Sequence, residues 1–400
     1  MTKASRVRVG GPLVPLAGRF RTELVSAGYS EEWTVVQLWL LAGLSRWLSE
    51  RGLGIDELRV EHVGDFFAEH RARRKMSRVP ATVSGPLATF LIAEGLVEVH
   101  EEPSGDPIDL IVARFCRHLV VERGLRSRTV RRYEQAARLL LRAVGPAGLE
   151  SLDVETVTTF VVDQAGRRST ASAGNVVVGL RAFLRFCFIE GLVARRLDVA
   201  VPTVAAWRAS ALPRAVEPGV AERLVASCDR RTALGRRDYA VLLCLWRLGL
   251  RVGEVAALEL DDLDWRAGEI LVHGKAGVDE RLPLPVDVGE AIAGYLRRGR
   301  PRHACRSLFL RQRPPIGPLS PTGVRSSLYR ACDKLGIIRF GAHRLRHTTA
   351  AELLKAGASL EEVAQVLRHR SIDTTAIYAK IDLDALATVA LPWPVQGGER

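Results

Sequence analysis

A short pattern occurs twice in the first half of this 400-residue chain, and it limits what that half can fold into. The pattern Leu-x-x-Glu-x-Val-x-x-Phe spans residues 58–66 and returns at residues 152–160. Each copy leads to an apolar segment that ends in Glu-Gly-Leu-Val, at residues 94–97 and 190–193. Glycine at that point is typical of a helix C-terminus. The repeat predicts two related units of several short helices, although amphipathic helices also share such spacing by coincidence.

Two stretches rich in proline and glycine interrupt the helical pattern, at residues 100–107 and 201–219. Such stretches are typical of linkers, and 400 residues are enough for two or three domains. We therefore predict three domains, at residues 1–104, 105–205 and 206–400. The first two are helical, and the first is a duplicate of the second.

The third domain mixes helices and strands. An apolar periodic segment predicts a helix over residues 242–250. Two short alternating segments separated by a glycine-containing turn predict antiparallel strands at residues 269–273 and 280–284. The chain then becomes helical, and Ser359 with Glu362 predicts a capping box at the start of one helix.

The chain carries a large positive charge. Lysine and arginine number 58, against 45 aspartates and glutamates, so the formal net charge is +13 and the pI is near 10.0. Such a surplus favours a polyanionic partner, either nucleic acid or an acidic membrane surface. The 47% of hydrophobic residues excludes a disordered chain. No uninterrupted apolar run has the roughly 18 to 20 residues of a membrane span.

The six cysteines stand far apart and form no Cys-x-x-Cys pair, which indicates neither a disulfide framework nor a zinc site. The first residues lack the apolar core of a signal peptide. We therefore expect a reducing, cytoplasmic location, with no bound metal and no membrane partner.

Arginines are concentrated in the second helical unit. Seven of them lie between residues 123 and 142, where Glu134 is the one acidic residue. Like charges at this density repel one another unless phosphates neutralise them, although a run of charge is often only a solvated face. We predict a DNA-binding surface that includes Arg126, Arg128, Arg131 and Arg132.

Short motifs in the third domain carry residues suited to phosphate or proton chemistry. Arg251 and Glu254 lie three residues apart, so on a helix the carboxylate would orient the guanidinium. His343 and Arg346 have the same spacing and would project from one helical face. Lys275 lies in the predicted turn between the two strands. Taken singly, each motif also fits a solvated basic turn or a structural residue.

The motifs are more informative as a set. Six residues follow one another across the third domain in the order Arg251, Lys275, His343, Arg346, His369 and Tyr378. This order resembles the tyrosine recombinase (phage integrase) family, whose catalytic set reads Arg, Lys, His, Arg, His or Trp, and Tyr. The resemblance covers about residues 212–385. One departure is the Ala-Gly after Lys275, where the family more often has glycine and a basic residue.

The resemblance implies a mainly α fold with a small antiparallel β-sheet in the catalytic domain. Residues 206–400 would form this catalytic domain with its C-terminal tail. Residues 105–205 would form a helical core-binding (SAM-like) domain, and residues 1–104 a second helical domain of the DNA-binding type.

The implied function is that of a site-specific recombinase or integrase of a mobile element, which acts in integration, excision or transposition. The expected partners are double-stranded DNA, further copies of the chain in a homo-tetramer on two DNA sites, and other recombinases of the same element. The resemblance implies no cofactor.

The resemblance also implies a 3′-phosphotyrosyl intermediate and a Holliday junction. Tyr378 would be the nucleophile. Arg251 and Arg346 would bind the attacked phosphate, and His369 would add a hydrogen bond to it. Glu254 would orient Arg251 without contacting the phosphate itself.

Two further residues would move protons. Lys275 would protonate the leaving 5′ oxygen, and His343 would serve acid–base chemistry at the tyrosine hydroxyl or support the phosphate. Two alternatives stay open at this point. A type IB topoisomerase-like enzyme, which nicks and reseals one strand, shares this chemistry, and a catalytically silent DNA-binding regulator would show decay at one of the six positions, all of which are intact.

Overall fold

The computed structural model describes residues 7–74, 85–97, 106–204, 215–274 and 279–368. Within these ranges the chain is mainly helical and contains one three-stranded antiparallel sheet. The predicted fold class is therefore confirmed. The chain separates into two compact units, Met1–Glu98 together with Ala211–Arg400, and Val99–Ser210.

In the N-terminal part of the chain the described residues form four α-helices, α1 (Ala17–Ser26), α2 (Glu31–Glu50), α3 (Val60–Arg74) and α4 (Pro86–Ala93). Helix α2 begins where the Ser30 hydroxyl accepts a hydrogen bond from the Trp33 amide. The Phe20 and Phe90 rings lie 4.8 Å apart between their centroids. They pack with the buried leucines of α2 in one apolar cluster that holds the four helices together.

Four more helices form the middle unit, α5 (Pro107–Val121), α6 (Ser127–Val144), α7 (Val154–Gly166) and α8 (Thr170–Ile189). Phe115, Phe183 and Phe186 are buried in its core. The segment Ser172–Ile189 of α8 is long and apolar enough to cross a membrane by length and composition. It supplies two of these three phenylalanines to the core, so a core helix accounts for its composition.

Helices α6 and α8 start at the same end of the middle unit. Arg132 of α6 contacts Asn175 of α8, and one turn further along both helices Gly179 faces Ala136. A Cβ atom on Gly179 would lie 2.7 Å from the Ala136 Cβ atom. Only glycine therefore allows the two helices to pack this closely.

The third part of the chain contains seven helices and three strands in its described residues. The helices are α9 (Val220–Ala226), α10 (Ala233–Trp246), α11 (Val252–Ala257), α12 (Val286–Arg298), α13 (Pro321–Lys334), α14 (His343–Lys355) and α15 (Leu360–Leu367). The strands are β1 (Leu263–Asp264), β2 (Glu269–His273) and β3 (Asp279–Pro283), in the order β1–β2–β3.

The predicted hairpin is confirmed to within one residue at β3. Ile270 of β2 pairs with Leu263 of β1 on one side and with Leu282 of β3 on the other. Ile270 and Val272 are fully buried, whereas the residues that alternate with them are not. This period of two is what a sheet with one buried face requires.

The helix predicted over residues 242–250 ends earlier, at Trp246. Gly249 has a left-handed φ of +56°, and the position of its missing Cβ lies 2.7 Å from Leu367 Cδ2. The chain therefore leaves the helix at a turn that glycine favours. The apolar pattern continues through the turn because Leu248 and Leu250 are buried in the same core.

The predicted capping box at the start of α15 is confirmed. Ser359 Oγ accepts a hydrogen bond from the Glu362 amide at 3.2 Å, and Glu362 Oε2 accepts one from the Ser359 amide at 2.7 Å. Val363 and Leu367 are buried on the inner side of this helix. Helix α15 therefore has a fixed start and a fixed inner face.

A buried ionic cluster connects α10 to α13. Asp238 Oδ2 accepts a hydrogen bond from Arg330 Nε at 2.7 Å, and Asp238 Oδ1 accepts one from Ser327 Oγ at 2.8 Å. Arg237 also pairs with Asp238 at 2.9 Å, and both side chains are almost completely buried. A carboxylate removed from water in this way depends on its partners for stability.

The turn after α1 contacts the third part of the chain. The Ile316 amide donates a hydrogen bond to the Ala27 carbonyl at 2.8 Å, and the Ile316 side chain lies against Gly28. Separate apolar clusters form within residues 7–97, 108–204 and 216–345. The division into three domains at residues 104 and 205 stays a prediction.

Candidate active site

Arg251 and Glu254 form the centre of the candidate site at the start of α11. Glu254 Oε2 accepts a hydrogen bond from the Arg251 amide at 2.8 Å, and Glu254 Oε1 accepts one from Arg251 Nη1 at 2.6 Å. One carboxylate therefore fixes both the backbone and the side chain of Arg251. The Arg251 side chain is 39% exposed and Glu254 is 6% exposed, so the guanidinium is accessible while its support is buried.

Arg346 lies in the first turn of α14 and is 4% exposed. Its Nη1 donates a hydrogen bond to the Gly249 carbonyl at 2.6 Å, and its Nη2 donates one to the Leu367 carbonyl. These bonds connect the turn before Arg251 to the end of α15. Arg346 is therefore buried, because two main-chain carbonyls bind its guanidinium.

His343 is the first residue of α14, near Arg251 and Arg346. Partial desolvation lowers the pKa of His343 below its usual 6.5, and the charges of Arg346 and Arg251 lower it further, against the opposing effect of Glu254. The imidazole is therefore neutral at neutral pH. A neutral imidazole is able to accept a proton.

Arg368 is a residue of this site that the sequence interpretation missed. It follows the last residue of α15, and its side chain is 4% exposed. Arg368 Nη2 donates a hydrogen bond to Glu254 Oε2 at 2.7 Å, while the Arg368 carbonyl accepts one from Arg251 Nη2 at 3.4 Å. The available signal was the arginine between Leu367 and His369, but nothing local showed that it contacts α11.

The carboxylate of Glu254 therefore lies between two guanidinium groups. Burial raises the pKa of Glu254, but the hydrogen bond from the Arg251 amide and the charge of Arg368 outweigh this effect, so the pKa falls below its usual 4.5. Glu254 is ionised at neutral pH. The described part of the site thus holds three guanidinium groups, those of Arg251, Arg346 and Arg368, and the one carboxylate of Glu254, so it is positive.

Three predicted site residues lie outside the described residues. Lys275 belongs to the segment between β2 and β3, His369 follows Arg368 directly, and Tyr378 lies further along the chain. The structure thus brings together Arg251, Glu254, His343 and Arg346. The places of the other three stay predictions.

The four predicted DNA-binding arginines lie at the N-terminal end of α6. Arg126 is the N-cap residue, and it is exposed together with Arg128, Arg131 and Arg132. Arg132 Nη1 donates a hydrogen bond to Asn175 Oδ1 at 3.1 Å. Since α6 and α8 start at the same end, the positive ends of two helix dipoles reinforce the arginine charges there.

In the part of the chain that the structure describes, no group of three or more histidine, cysteine, aspartate or glutamate side chains is placed to hold a metal ion. All six cysteines are described, and each is a free thiol.

The sequence and the fold both match known proteins. Residues 214–384 match the model of the phage integrase family. The chain is 42% identical over 394 residues to a Sinorhizobium fredii protein named integrase/recombinase y4rA, covering 96% of this chain and 95% of that protein. It is 30% identical to the tyrosine recombinase XerC of Bacillus licheniformis, covering 68% of this chain and 92% of XerC.

The fold is similar to that of a lambda integrase tetramer bound to a Holliday junction. The TM-score is 0.53 at 17% identity, and the match covers 81% of this chain and 88% of that chain. Fold and sequence together define an integrase-type DNA recombinase. The chain belongs to the phage integrase family, and it is a site-specific recombinase of the tyrosine type, as the order of its motifs predicted.

Proposed function

We propose that this recombinase binds double-stranded DNA and exchanges strands through a covalent bond between Tyr378 and a 3′ phosphate. The observation that carries the proposal is the cluster of Arg251, Glu254, His343 and Arg346. It combines an accessible guanidinium, a buried carboxylate that orients it, a second guanidinium and a neutral imidazole.

The two arginines suit the phosphate that Tyr378 would attack. A phosphodiester gathers negative charge on its non-bridging oxygens during the attack, and donors fixed in advance stabilise that charge. Arg251 is exposed enough to reach these oxygens. Arg346 adds its charge from a buried position, where less solvent screens it.

The proposed step balances with groups of the protein and the DNA alone. The Tyr378 hydroxyl oxygen attacks phosphorus, and the bond from phosphorus to the 5′ oxygen breaks. His343 accepts the tyrosine proton, Lys275 donates a proton to the 5′ oxygen, and His369 binds a phosphate oxygen. The proposal therefore names no cofactor.

The middle unit is the proposed core-binding domain. Arg126, Arg128, Arg131 and Arg132 would contact phosphates of the recombination site. Each arginine that neutralises one phosphate contributes about 0.9 to the slope of log affinity against log salt. Replacing Arg131 with glutamine should therefore lower that slope by about one and weaken binding to all DNA sequences alike.

We also propose that residues 1–104 duplicate residues 105–205 and lengthen the DNA contact. The described residues of both parts form four α-helices, and the last of these in each part is followed by a left-handed glycine, Gly95 with φ +71° and Gly191 with φ +70°. Val63 and Val157, from the repeated pattern, are both fully buried.

Footprinting tests the role of the N-terminal part. The full chain should protect a longer stretch of DNA than a chain of residues 105–400 whose thermal stability has been checked. Identical footprints would refute the proposed contact.

The proposed assembly is a homo-tetramer on two DNA sites, in the cytoplasm, with other recombinases of the same element as further partners. The reaction would serve integration, excision or transposition of a mobile element. The similar fold of an integrase tetramer on a Holliday junction supports this arrangement.

A suicide substrate gives the direct test. Nicked duplexes from the DNA that flanks the gene should yield a protein–DNA adduct that survives denaturation. Tyr378→Phe should abolish the adduct and leave DNA binding nearly unchanged.

Each alternative predicts a different result. Relaxation of any supercoiled plasmid without a specific site would favour a topoisomerase-like enzyme. Binding without any adduct would favour a silent DNA-binding regulator, and loss of binding in Tyr378→Phe would contradict the role given to Tyr378.

A further inference from the structure

Two arginines share the carboxylate of Glu254. Glu254 Oε1 accepts a hydrogen bond from Arg251 at 2.6 Å, and Glu254 Oε2 accepts one from Arg368 at 2.7 Å. Glu254 and Arg368 are almost fully buried, whereas Arg251 is partly exposed. The ion pair of Glu254 and Arg368 is therefore buried beneath the site, and Arg251 is the member of the cluster that solvent can reach.

The charge of Arg368 balances that of Glu254. A carboxylate that orients Arg251 also cancels the charge with which Arg251 would attract a phosphate. When the same carboxylate binds a second guanidinium, its charge is already balanced on the buried side. Arg251 then keeps its orientation without losing its electrostatic attraction for an anion.

The backbone of Arg368 indicates that its side chain is needed. Arg368 has φ +52°, and it is the one non-glycine residue with positive φ among the described residues. Glycine adopts this conformation without strain, whereas arginine does not. Strained residues of this kind persist where the surrounding structure uses them.

The carbonyl of Arg368 contributes a second contact. It accepts a hydrogen bond from Arg251 Nη2 at 3.4 Å. Arg368 thus contacts the Arg251 guanidinium in two ways. Its side chain does so through Glu254, and its main-chain carbonyl does so directly. This double contact explains why the end of α15 and the start of α11 are held together at this point.

We propose that Arg368 is a positioning residue for DNA cleavage: it balances the charge of Glu254, so that Arg251 is oriented and keeps its charge for the scissile phosphate. The proposal rests on the proposed function, since it assumes that Arg251 binds the phosphate that Tyr378 attacks. Arg368 itself acts through Glu254 and Arg251.

Two substitutions of Arg368 separate charge from backbone. Arg368→Gly removes the guanidinium and suits the left-handed backbone, so the variant should fold. Arg368→Lys keeps the charge. We expect single-turnover cleavage of saturating suicide substrate to fall by about 10- to 100-fold in Arg368→Gly, the loss typical of residues that hold a catalytic group in place. Arg368→Lys should recover part of the rate, and the DNA dissociation constant should change by less than about threefold in both.

The pH dependence of cleavage gives a readout that a purely structural role would not move. Among the described residues, Arg251 and Arg368 bind Glu254, and the charges of Glu254, Arg251 and Arg346 all act on His343. Without Arg368, Glu254 binds a proton at higher pH and releases Arg251. Protonation of His343, the proposed proton acceptor, also lowers the rate in acid, so the profiles are compared in a His343→Gln background. There the acidic limb should move to higher pH on adding Arg368→Gly and stay nearly in place on adding Arg368→Lys.

A double-mutant cycle with Glu254→Gln tests the route of the effect. Because Arg368 acts through Glu254, Arg368→Gly should cost much less in the Glu254→Gln background than alone. Equal costs in both backgrounds would overturn the proposal. So would a wild-type cleavage rate, or an unshifted acidic limb, in Arg368→Gly.

Adduct formation by the wild-type protein distinguishes failure of the proposed function from failure of the role of Arg368. If the wild-type protein forms the adduct and Arg368→Gly forms it equally fast, only the role of Arg368 fails. If the wild-type protein forms none on its binding site, the proposed function fails and the role of Arg368 fails with it.

Discussion

Replacing Gly249 with alanine should displace the turn that supports Arg346 and Arg251 in the candidate site. Gly249 has φ +56°, and its carbonyl accepts the hydrogen bond from Arg346 Nη1. The residue two positions later is Arg251. A small displacement of this turn therefore moves the support of one arginine and the main chain of the other.

The expected loss of stability has two parts. A left-handed backbone costs a non-glycine residue about 1–2 kcal/mol. The new Cβ atom would also lie 2.7 Å from Leu367 Cδ2, and forcing an extra carbon into a packed core costs about 1–3 kcal/mol. Gly249→Ala should therefore lower the free energy of unfolding by about 2–5 kcal/mol.

Gly336 provides a matched control. Its φ is +66°, and no atom lies within 4 Å of the position of its missing Cβ. Gly336→Ala should therefore lose only the backbone part, about 1–2 kcal/mol.

Urea unfolding followed by fluorescence measures both variants. Leu367→Ala should cost less stability in the Gly249→Ala background than in the wild-type protein, because it also removes the clash. Equal losses for the two glycine variants would refute the packing argument. Cleavage of the suicide substrate should fall in Gly249→Ala and stay near wild type in Gly336→Ala.

Three further predictions concern stability and reactivity. Asp238→Ala should destabilise the protein by about 3–5 kcal/mol in urea unfolding, because it leaves the buried Arg237 and the partly exposed Arg330 without their carboxylate. A loss below about 1 kcal/mol would contradict this. Hydrogen bonds to Asp279 and Asp262 raise the pKa of His273 above its usual 6.5, so the stability that protonated His273 contributes is complete below pH 6.5 and disappears as the pH rises through the raised pKa. The loss of unfolding free energy caused by His273→Gln should therefore shrink over that interval, and a loss that is constant with pH would contradict the prediction. Burial raises the pKa of the Cys187 and Cys244 thiols to about 12, so both should react with a thiol reagent only after unfolding, as mass spectrometry of the labelled peptides would show.

Local patterns in the sequence predicted the elements that depend on neighbouring residues. The strands of the hairpin follow from alternating burial at Ile270 and Val272, and the start of α15 follows from the side chains of Ser359 and Glu362. The contact between Arg251 and Glu254 was predictable from their spacing, although Arg251 precedes α11 as its N-cap residue and the contact is a capping box.

Long-range contacts limited the prediction elsewhere. The end of α10 at Trp246 depends on a turn whose glycine packs against Leu367, far along the chain. The role of Arg368 depends on the meeting of α15 with α11, which no local pattern encodes. The burial of Arg346 has the same origin, because its two carbonyl partners come from distant segments.

The close packing at Gly179 has a consequence for the arginine surface of the middle unit. Since α6 and α8 meet with no room for a side chain, the core fixes the distance between the ends of the two helices, and the repulsion among the arginines cannot widen it. The core therefore fixes the backbone spacing from which these arginines project. If a polyanion binds there as proposed, enlarging Gly179 should change its affinity without altering a single charge.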